Sequence, residues 1–310
     1  MKNKVAVVGS YNIDQTIHVS KIPVPGETVI GGGFVSGPGG KGANQAVAAA
    51  RAGADVSFIA KVGADPATAQ ALRELQAEGL NIDYLIHDEA VSTGRAWIVV
   101  DTHGENSIVV APGANARLSP ADVAAAGPAI EAADVLLLQL ETPLETVLAA
   151  ADIAAGAGTT VILNPAPACA LSPEILRHTD IITPNIVEAQ MLSDVACSDE
   201  ISITAAARAL RGMGVKEVII TLGKKGAYVQ HGDREFRVPA YPVQALDSTG
   251  AGDVFNGCLA AFLGRDRDIR EAVAMACAAA AISVTKSGAQ ASIPYLAEIE
   301  AFYRQHGSEQ

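Results

Sequence analysis

The sequence has 310 residues, 49% of them hydrophobic and 4% aromatic, and a formal charge of −12. That length fits one large α/β domain, or one such domain with a small appendage. The acidic balance, with no Lys/Arg-rich run, argues against a nucleic-acid binder, so any bound phosphate is expected to be held by local dipoles and not by the global field.

The N-terminus, MKNKVAVVGS, has too short an apolar run for a signal peptide and reads as a strand. No later apolar segment reaches membrane-spanning length, so no membrane partner and a cytoplasmic location are expected. Along the chain, short apolar runs read as strands: Val5–Gly9, Val56–Lys61, Val135–Leu140, Thr160–Leu163, Ile181–Thr183 and Val218–Leu222. Between them lie helical stretches, Ala43–Ala52, Ala67–Glu78, Pro120–Ala132, Leu144–Ala155 and Ala205–Met213. Gly53, Gly79, Gly156 and Gly214 stand as C-caps after four of these. Nearly all-apolar strands alternating with helices imply a parallel sheet covered on both faces.

Two stretches break the alternation. Residues 14–38 hold "QTIHVSKI" and "TVIGGGFVSG" with no helix between them, and residues 93–111 hold two β runs joined by a polar turn. They read as strands outside the main sheet, a β appendage or lid formed by about 11–40 and 91–113 on one 1–310 domain. Cys169, Cys197, Cys258 and Cys277 lie far apart with no C-x-x-C pair, which disfavours a zinc site or a disulfide framework. Residues beyond about Arg304 are expected to fray.

In an open parallel sheet, ligands bind beyond the carboxyl ends of the strands. Five strand ends carry suitable groups: Asn12 and Asp14, Glu141, Asn164, Asn185 and Glu188, and Gly223, Lys225 and Gly226. Any one of them could be a helix cap or a turn residue. All five together are better explained by a shared site lined with acids and amides. In "SGPGGKGAN", Gly37, Gly39 and Gly42 match G-x-G-x-x-G, but the loop does not follow the first strand, which weakens a nicotinamide-dehydrogenase reading. Lys41 is followed by Gly42 and not by Ser or Thr, so it is no Walker A loop either. The loop is a turn capping the next helix, or a place where backbone approaches a ligand with Lys41 and Asn44 reaching in. Neither H-E-x-x-H nor G-x-S-x-G occurs.

"DSTGAGDVF", residues 247–255, precedes an apolar helical face of Val254, Phe255, Cys258, Leu259 and Phe262. A helix starting near Gly252 would leave its first amides open to an anion. Asp253 beside such a site is a puzzle, because its carboxylate repels an anion.

These segments, with "NPAPA", "TPNIVEAQML" and "TLGKKGA", resemble the ribokinase (PfkB-type) family of sugar kinases along essentially the whole chain. The resemblance implies a central, mostly parallel sheet with helices on both faces and a small β-sheet lid, which tends to pair with a second subunit's lid as a homodimer. It implies transfer of the ATP γ-phosphoryl group to a sugar 5-hydroxyl, ribose being favoured. Asp253 would then take the hydroxyl proton while the amides of Gly250, Ala251 and Gly252 steady the phosphoryl oxygens, which answers the puzzle. Sugar binding is carried over to Asn12, Asp14, Gly40, Lys41, Asn44 and Glu141, with Asn12 favouring ribose over 2-deoxyribose. Nucleotide binding falls on Asn185, Thr221, Gly223, Lys225, Gly226 and Gly252, with apolar walls near Cys277. Glu188 would organise Mg²⁺ through water. Asp247, Thr249, Ser283, Lys286, Gly288 and Ser292 would surround a monovalent cation, K⁺, several of them through carbonyls. Ser248 stands where Thr is common in the family, a mild departure. A kinase for 2-deoxyribose, fructose or a nucleoside, and a non-catalytic sugar- or nucleotide-binding regulator, are the competing readings.

Overall fold

The computed structural model describes residues 2–263 and 268–307. The chain begins with β1 (Lys4–Val8), leaves the main layer for β2 (Asn12–His18) and β3 (Phe34–Gly39), and returns as β4 (Asp55–Gly63) and β5 (Leu85–Asp88). It leaves again for β6 (Gly94–Val100) and β7 (Asn106–Ala111). It then supplies β8 (Val135–Leu138), β9 (Thr160–Leu163), β10 (Ile181–Ile182), β11 (Glu217–Thr221), β12 (Ala227–His231) and β13 (Arg234–Val238). The main sheet runs β13-β12-β11-β10-β9-β8-β1-β4-β5, and the second runs β3-β2-β6-β7. Pairing is parallel from β11 to β5; β12 and β13 add an antiparallel hairpin at one edge, which the sequence reading had not placed.

Alternate residues of the central strands feed two cores. Val5, Val7, Val135 and Leu137 point into one, shared with the helices Lys41–Arg51, Ala251–Phe262 and Ile269–Ser283. Ala6, Val8, Leu136 and Leu138 point into the other, shared with the helices Leu144–Ala157 and Glu200–Gly212. Burial on both faces is why these strands are apolar throughout. Among the described residues, no helix is long and apolar enough to cross a membrane.

Several expected boundaries move. Pro120–Ala132 is two helices, Pro120–Ala125 and Gly127–Glu131, because Pro128 has no N–H to continue the first. The helix from Leu144 passes through Gly156 to Ala157, and it is Gly158, at φ 78°, that takes the left-handed cap. The helix expected from Ala205 starts at Glu200, where Asp199 and Ser202 form a capping box. The last helix, Leu296–His306, extends past Arg304, and residues 308–310 lie outside the described part.

Candidate active site

β1 sits between β4 and β8, so the chain turns to opposite sides on leaving β1 and β8, and a crevice opens beyond their carboxyl ends. There Ser10 Oγ donates to Glu141 Oε2 at 2.5 Å, and the Lys41 amide donates to the same oxygen at 3.1 Å. The helix Lys41–Arg51 is pressed onto this corner. A Cβ at Gly42 would lie 2.4 Å from Ser10 N, and one at Gly40, which has φ +88°, would lie 2.7 Å from Asn12 N. Gly40 and Gly42, two of the three glycines of "GGKGAN", are therefore demanded by close backbone approach, and that approach delivers Lys41 and Asn44 to the crevice.

The helix Ala251–Phe262 crosses Lys41–Arg51 closely because Gly257 has no side chain: a Cβ there would lie 2.3 Å from Gln45 O. One turn before Gly257, Asp253 meets the same helix. Its Oδ2 accepts from Asn44 Nδ2 at 3.0 Å and its Oδ1 from Gln45 Nε2 at 2.9 Å. Burial pushes the Asp253 carboxyl up, and the Lys41 charge and the two amides only partly offset this. Lys41 has the reverse balance: burial pulls its ammonium down, but Asp253, Glu141, Glu188 and Asp14 together hold it above its ordinary value.

The N-terminus of Ala251–Phe262 has Gly250 at φ 75° as N-cap and no side-chain cap. The expected trio of open amides needs correcting in one member. Ala251 N–H donates to Ser248 O at 3.2 Å, because the left-handed turn at Gly250 folds it back. The amides of Gly252 and Asp253 have no such bond among the described residues. A Cβ at Gly252 would meet open space, so the backbone there is bare to an incoming group. Asn256 Nδ2 holds the Gly252 carbonyl at 2.8 Å and fixes the turn.

On the second-sheet side, Asn12 Oδ1 accepts from Asn115 Nδ2 at 2.8 Å, so the Asn12 amide hydrogens point elsewhere and are available as donors. Asp14, two residues along the same face, lies over Gly39. Burial first, then the charges of Glu141 and Asp253, raise its pKa from 3.8 to about 6 against the pull of Lys41.

Beyond β10 and β11, Asn185 and Thr221 are bridged strand to strand. Asn185 and Glu188 form a capping box at the start of the helix Ile186–Ser193, with bonds of 2.9 and 2.8 Å. The N-x-x-E spacing thus has a structural use, and among the described residues it leaves the second Glu188 oxygen without a bond. Gly223 begins a 3-10 turn at φ +55°, with Lys225 exposed at its end. Gly226 is packed under β13, where a Cβ would lie 2.0 Å from Val238 O, so its need for glycine is met by the fold itself. Asp247 clamps two loops by accepting from Thr249 N at 2.9 Å and Gly288 N at 2.8 Å. Ser283 and Ser292 turn their hydroxyls to Ala280 O and Ala289 O, each at 2.8 Å, and Lys286 pairs with Glu298 at 3.0 Å. Of the six residues expected around a cation, Asp247, Thr249 and Gly288 are thus joined directly, while Ser283, Ser292 and Lys286 are bonded elsewhere. Among the described residues, no three His, Cys, Asp or Glu side chains converge as a metal site.

The family model for pfkB family carbohydrate kinases matches residues 2–296. The chain belongs to the pfkB family of carbohydrate kinases. It is 45% identical to a ribokinase of Haemophilus influenzae, over 95% of this chain and 96% of that one. It is 38% identical to a deoxyribokinase of Salmonella typhi, over 96% and 98% of the two chains. The structure of Arabidopsis thaliana ribokinase complexed with ribose and ATP superposes with a TM-score of 0.90 at 29% identity, covering 97% of this chain and 99% of that one.

In this pfkB-family kinase the crevice also holds residues that the sequence reading did not single out. Ser10, Asn115 and Gln139 reach it through hydrogen bonds to Glu141, Asn12 and Gln45. Ser10 and Gln139 each lie within two residues of a strand end, a position that flagged their neighbours. Asn115 comes from a short 3-10 turn, Gly113–Arg117, with no signal in its spacing.

Proposed function

We propose that this kinase transfers the γ-phosphoryl group of ATP to the 5-hydroxyl of D-ribose, giving ribose 5-phosphate. The observation that carries the reading is a buried carboxylate, Asp253, held by two amides at the foot of an uncapped helix N-terminus. Phosphoryl transfer asks for a proton acceptor and an array of positive dipoles at one point. Asp253 takes the proton of the attacking hydroxyl. The Gly250, Gly252 and Asp253 amides, with the dipole of Ala251–Phe262 and the Lys41 ammonium, steady the phosphoryl oxygens. Asn12, Asp14, Gly40, Lys41, Asn44 and Glu141 orient the sugar, carboxylates accepting from its hydroxyls and amides donating to its oxygens. Asn185, Thr221, Gly223, Lys225, Gly226 and Gly252 line the nucleotide path.

Glu188, with one oxygen uncommitted, would hold Mg²⁺ through water. When bound, Mg²⁺ supplies charge neutralisation on those phosphates. The Asp247–Thr249 and Ser283–Ser292 loops, rich in hard oxygen donors, suit K⁺ and would hold the turn at Gly250 in shape. The chain is read as one 1–310 kinase domain with the second sheet as a lid, pairing as a homodimer. Its four free cysteines accord with a cytoplasmic setting.

The deoxyribokinase relative makes 2-deoxyribose the second candidate, and the polar Asn12 favours ribose over it. Release of ADP measured with ribose, 2-deoxyribose, fructose and adenosine, with and without K⁺, tests the reading. Ribose is expected to give the highest kcat/KM, and a clear preference for another acceptor overturns it. Asp253→Asn is expected to lower kcat by roughly 10²–10⁴ while the protein stays folded. Near-unchanged turnover would remove Asp253 from the chemistry.

A further inference from the structure

A chain of side-chain amides runs behind Asp253 with a single direction. Asn164 Nδ2 donates to Thr183 O at 3.2 Å, which leaves Asn164 Oδ1 to accept from Gln45 Nε2 at 3.1 Å. On the other side, Gln139 Nε2 donates to Gln45 Oε1 at 2.7 Å. Both contacts turn the Gln45 amide the same way, carbonyl toward Gln139 and NH₂ toward Asn164 and Asp253. A flipped Gln45 would set its oxygen against two acceptors, Asp253 Oδ1 and Asn164 Oδ1, and its NH₂ against the Gln139 NH₂. Gln45 and Gln139 are fully buried and Asn164 nearly so, so water cannot relieve such a mismatch. Among the described residues the Gln139 carbonyl oxygen has no partner, so that side chain is committed through its donor alone.

We propose that Gln45 is the positioning residue of the Asp253 carboxylate, and that Gln139 and Asn164 lock the sense of its amide so that a donor always faces the base. This rests on Asp253 being the base. The device reaches Asp253 from the ends of β8 and β9 and from the helix Lys41–Arg51, so three elements fix the carboxylate of a fourth. Its consequence is twofold. A donor on Oδ1 favours the ionised form that can accept a proton, and it sets the plane in which the remaining lone pairs meet the sugar hydroxyl. The charged groups that face Asp253 are Lys41 at the helix start, Asp14 on β2, Glu141 after β8 and Glu188 on Ile186–Ser193. None of them is altered by a change at Gln45 or Gln139.

The test is the pH dependence of kcat at saturating ribose and ATP for Gln45→Met, Gln139→Met and Asp253→Asn, each checked for folding by its melting temperature. Gln45→Met removes the donor at similar volume. Should it fail to fold, Gln139→Met carries the same test at smaller amplitude, because it leaves every contact to Asp253 in place and removes one of the three contacts that set the direction of the Gln45 amide. In folded Gln45→Met the acid limb of kcat is expected to move up by about one pH unit, a tenfold change in proton affinity, and in folded Gln139→Met by less in the same direction. Plateau kcat is expected to fall about tenfold, and KM for ribose to change less than about threefold, since Gln45 acts through Asp253 and not on the sugar. A purely structural role would lower the folded fraction and leave the acid limb where it is. If folded Gln45→Met or Gln139→Met keeps the wild-type limb and plateau while Asp253→Asn is inactive, the positioning proposal falls and the base stands. If Asp253→Asn turns over normally, the base falls, and the positioning proposal with it.

Discussion

Asp14 changes charge within the range of ordinary buffers. Burial and two neighbouring carboxylates raise its pKa to about 6, above its ordinary 3.8. In the sugar contact proposed for it, an ionised Asp14 would accept from hydroxyls, whereas a protonated one would give up part of that capacity. KM for ribose is therefore expected to rise as pH falls through about 6, and Asp14→Asn to raise KM at neutral pH and remove that dependence. The stability effect of the same group has the opposite sign. A folded pKa above the unfolded one means the native state binds the proton more tightly, so Asp14 adds stability that is fully present below 3.8 and lost as pH rises through about 6. Measuring KM and melting temperature over the same pH series separates the two, and a flat KM in the wild type would remove Asp14 from the sugar contacts. Asn12 is expected to set a different property. Its oxygen is committed to Asn115, so its NH₂ is what a sugar oxygen can meet. A sugar without the 2-hydroxyl leaves that donor unpaired in a site where Asn12 is 3% exposed, at a cost of about 1–3 kcal/mol. Asn12→Met is expected to shift the kcat/KM ratio toward 2-deoxyribose by roughly tenfold. An unchanged ratio would take Asn12 out of substrate choice.

At the scale of elements, the site depends on how near two helices come. Gly257 faces Gln45 O and Ala48 Cβ, which a Cβ would meet at 2.3 and 2.6 Å, both from Lys41–Arg51. Gly257→Ala must push the helices apart, with an overpacking cost of about 1–3 kcal/mol. Because Asp253 and Gln45 stand on the two helices being separated, kcat is expected to fall by about 10–10² even in the folded fraction. A melting curve together with kcat per folded molecule checks this; lost stability with unchanged kcat would show that the helix spacing does not control the base. This dependence also explains what could be read in the sequence. The strands were legible because burial on both faces makes their residues uniformly apolar, and the strand-end polar residues followed from topology. The start of Ala251–Phe262 was legible from its glycines and apolar spacing. The β12–β13 hairpin was not, because "AYVQH" and "REFRV" mix charged and apolar residues as an edge pair does. Nor were the roles of Gln45 and Gln139. A buried glutamine has no period and no motif, and its meaning comes from partners 94 and 208 positions away. The capping box at Asn185 and Glu188 shows the converse case, in which a pattern read as ligand-binding also has a local use.

For the whole molecule, the second sheet poses a question of coverage. Register places Val35, Ile98, Ile108 and Val110 on the face that also carries Asp14, and Trp97 and Val109 on the opposite face. Val35 is 60% exposed, Ile108 52%, Val109 64% and Trp97 44%. A four-stranded sheet with apolar side chains open on both faces departs from the pattern in which one face is solvated and polar. A second copy laying its own sheet against the Asp14 face would cover Val35, Ile98, Ile108 and Val110 and close the sugar side of the crevice together with Asp14. Val35→Lys combined with Ile108→Lys places two charges in that contact, outside the residues assigned to sugar or nucleotide. Sedimentation at micromolar concentration is expected to show the wild type at twice the 31.7 kDa chain mass and the double variant at the single-chain mass. If the sheet closes over the sugar only when paired, KM for ribose rises in the double variant as the dimer is lost, and more protein restores it. A wild type that sediments as a single chain, or a double variant that stays paired, would mean that this sheet is not the surface that joins two copies.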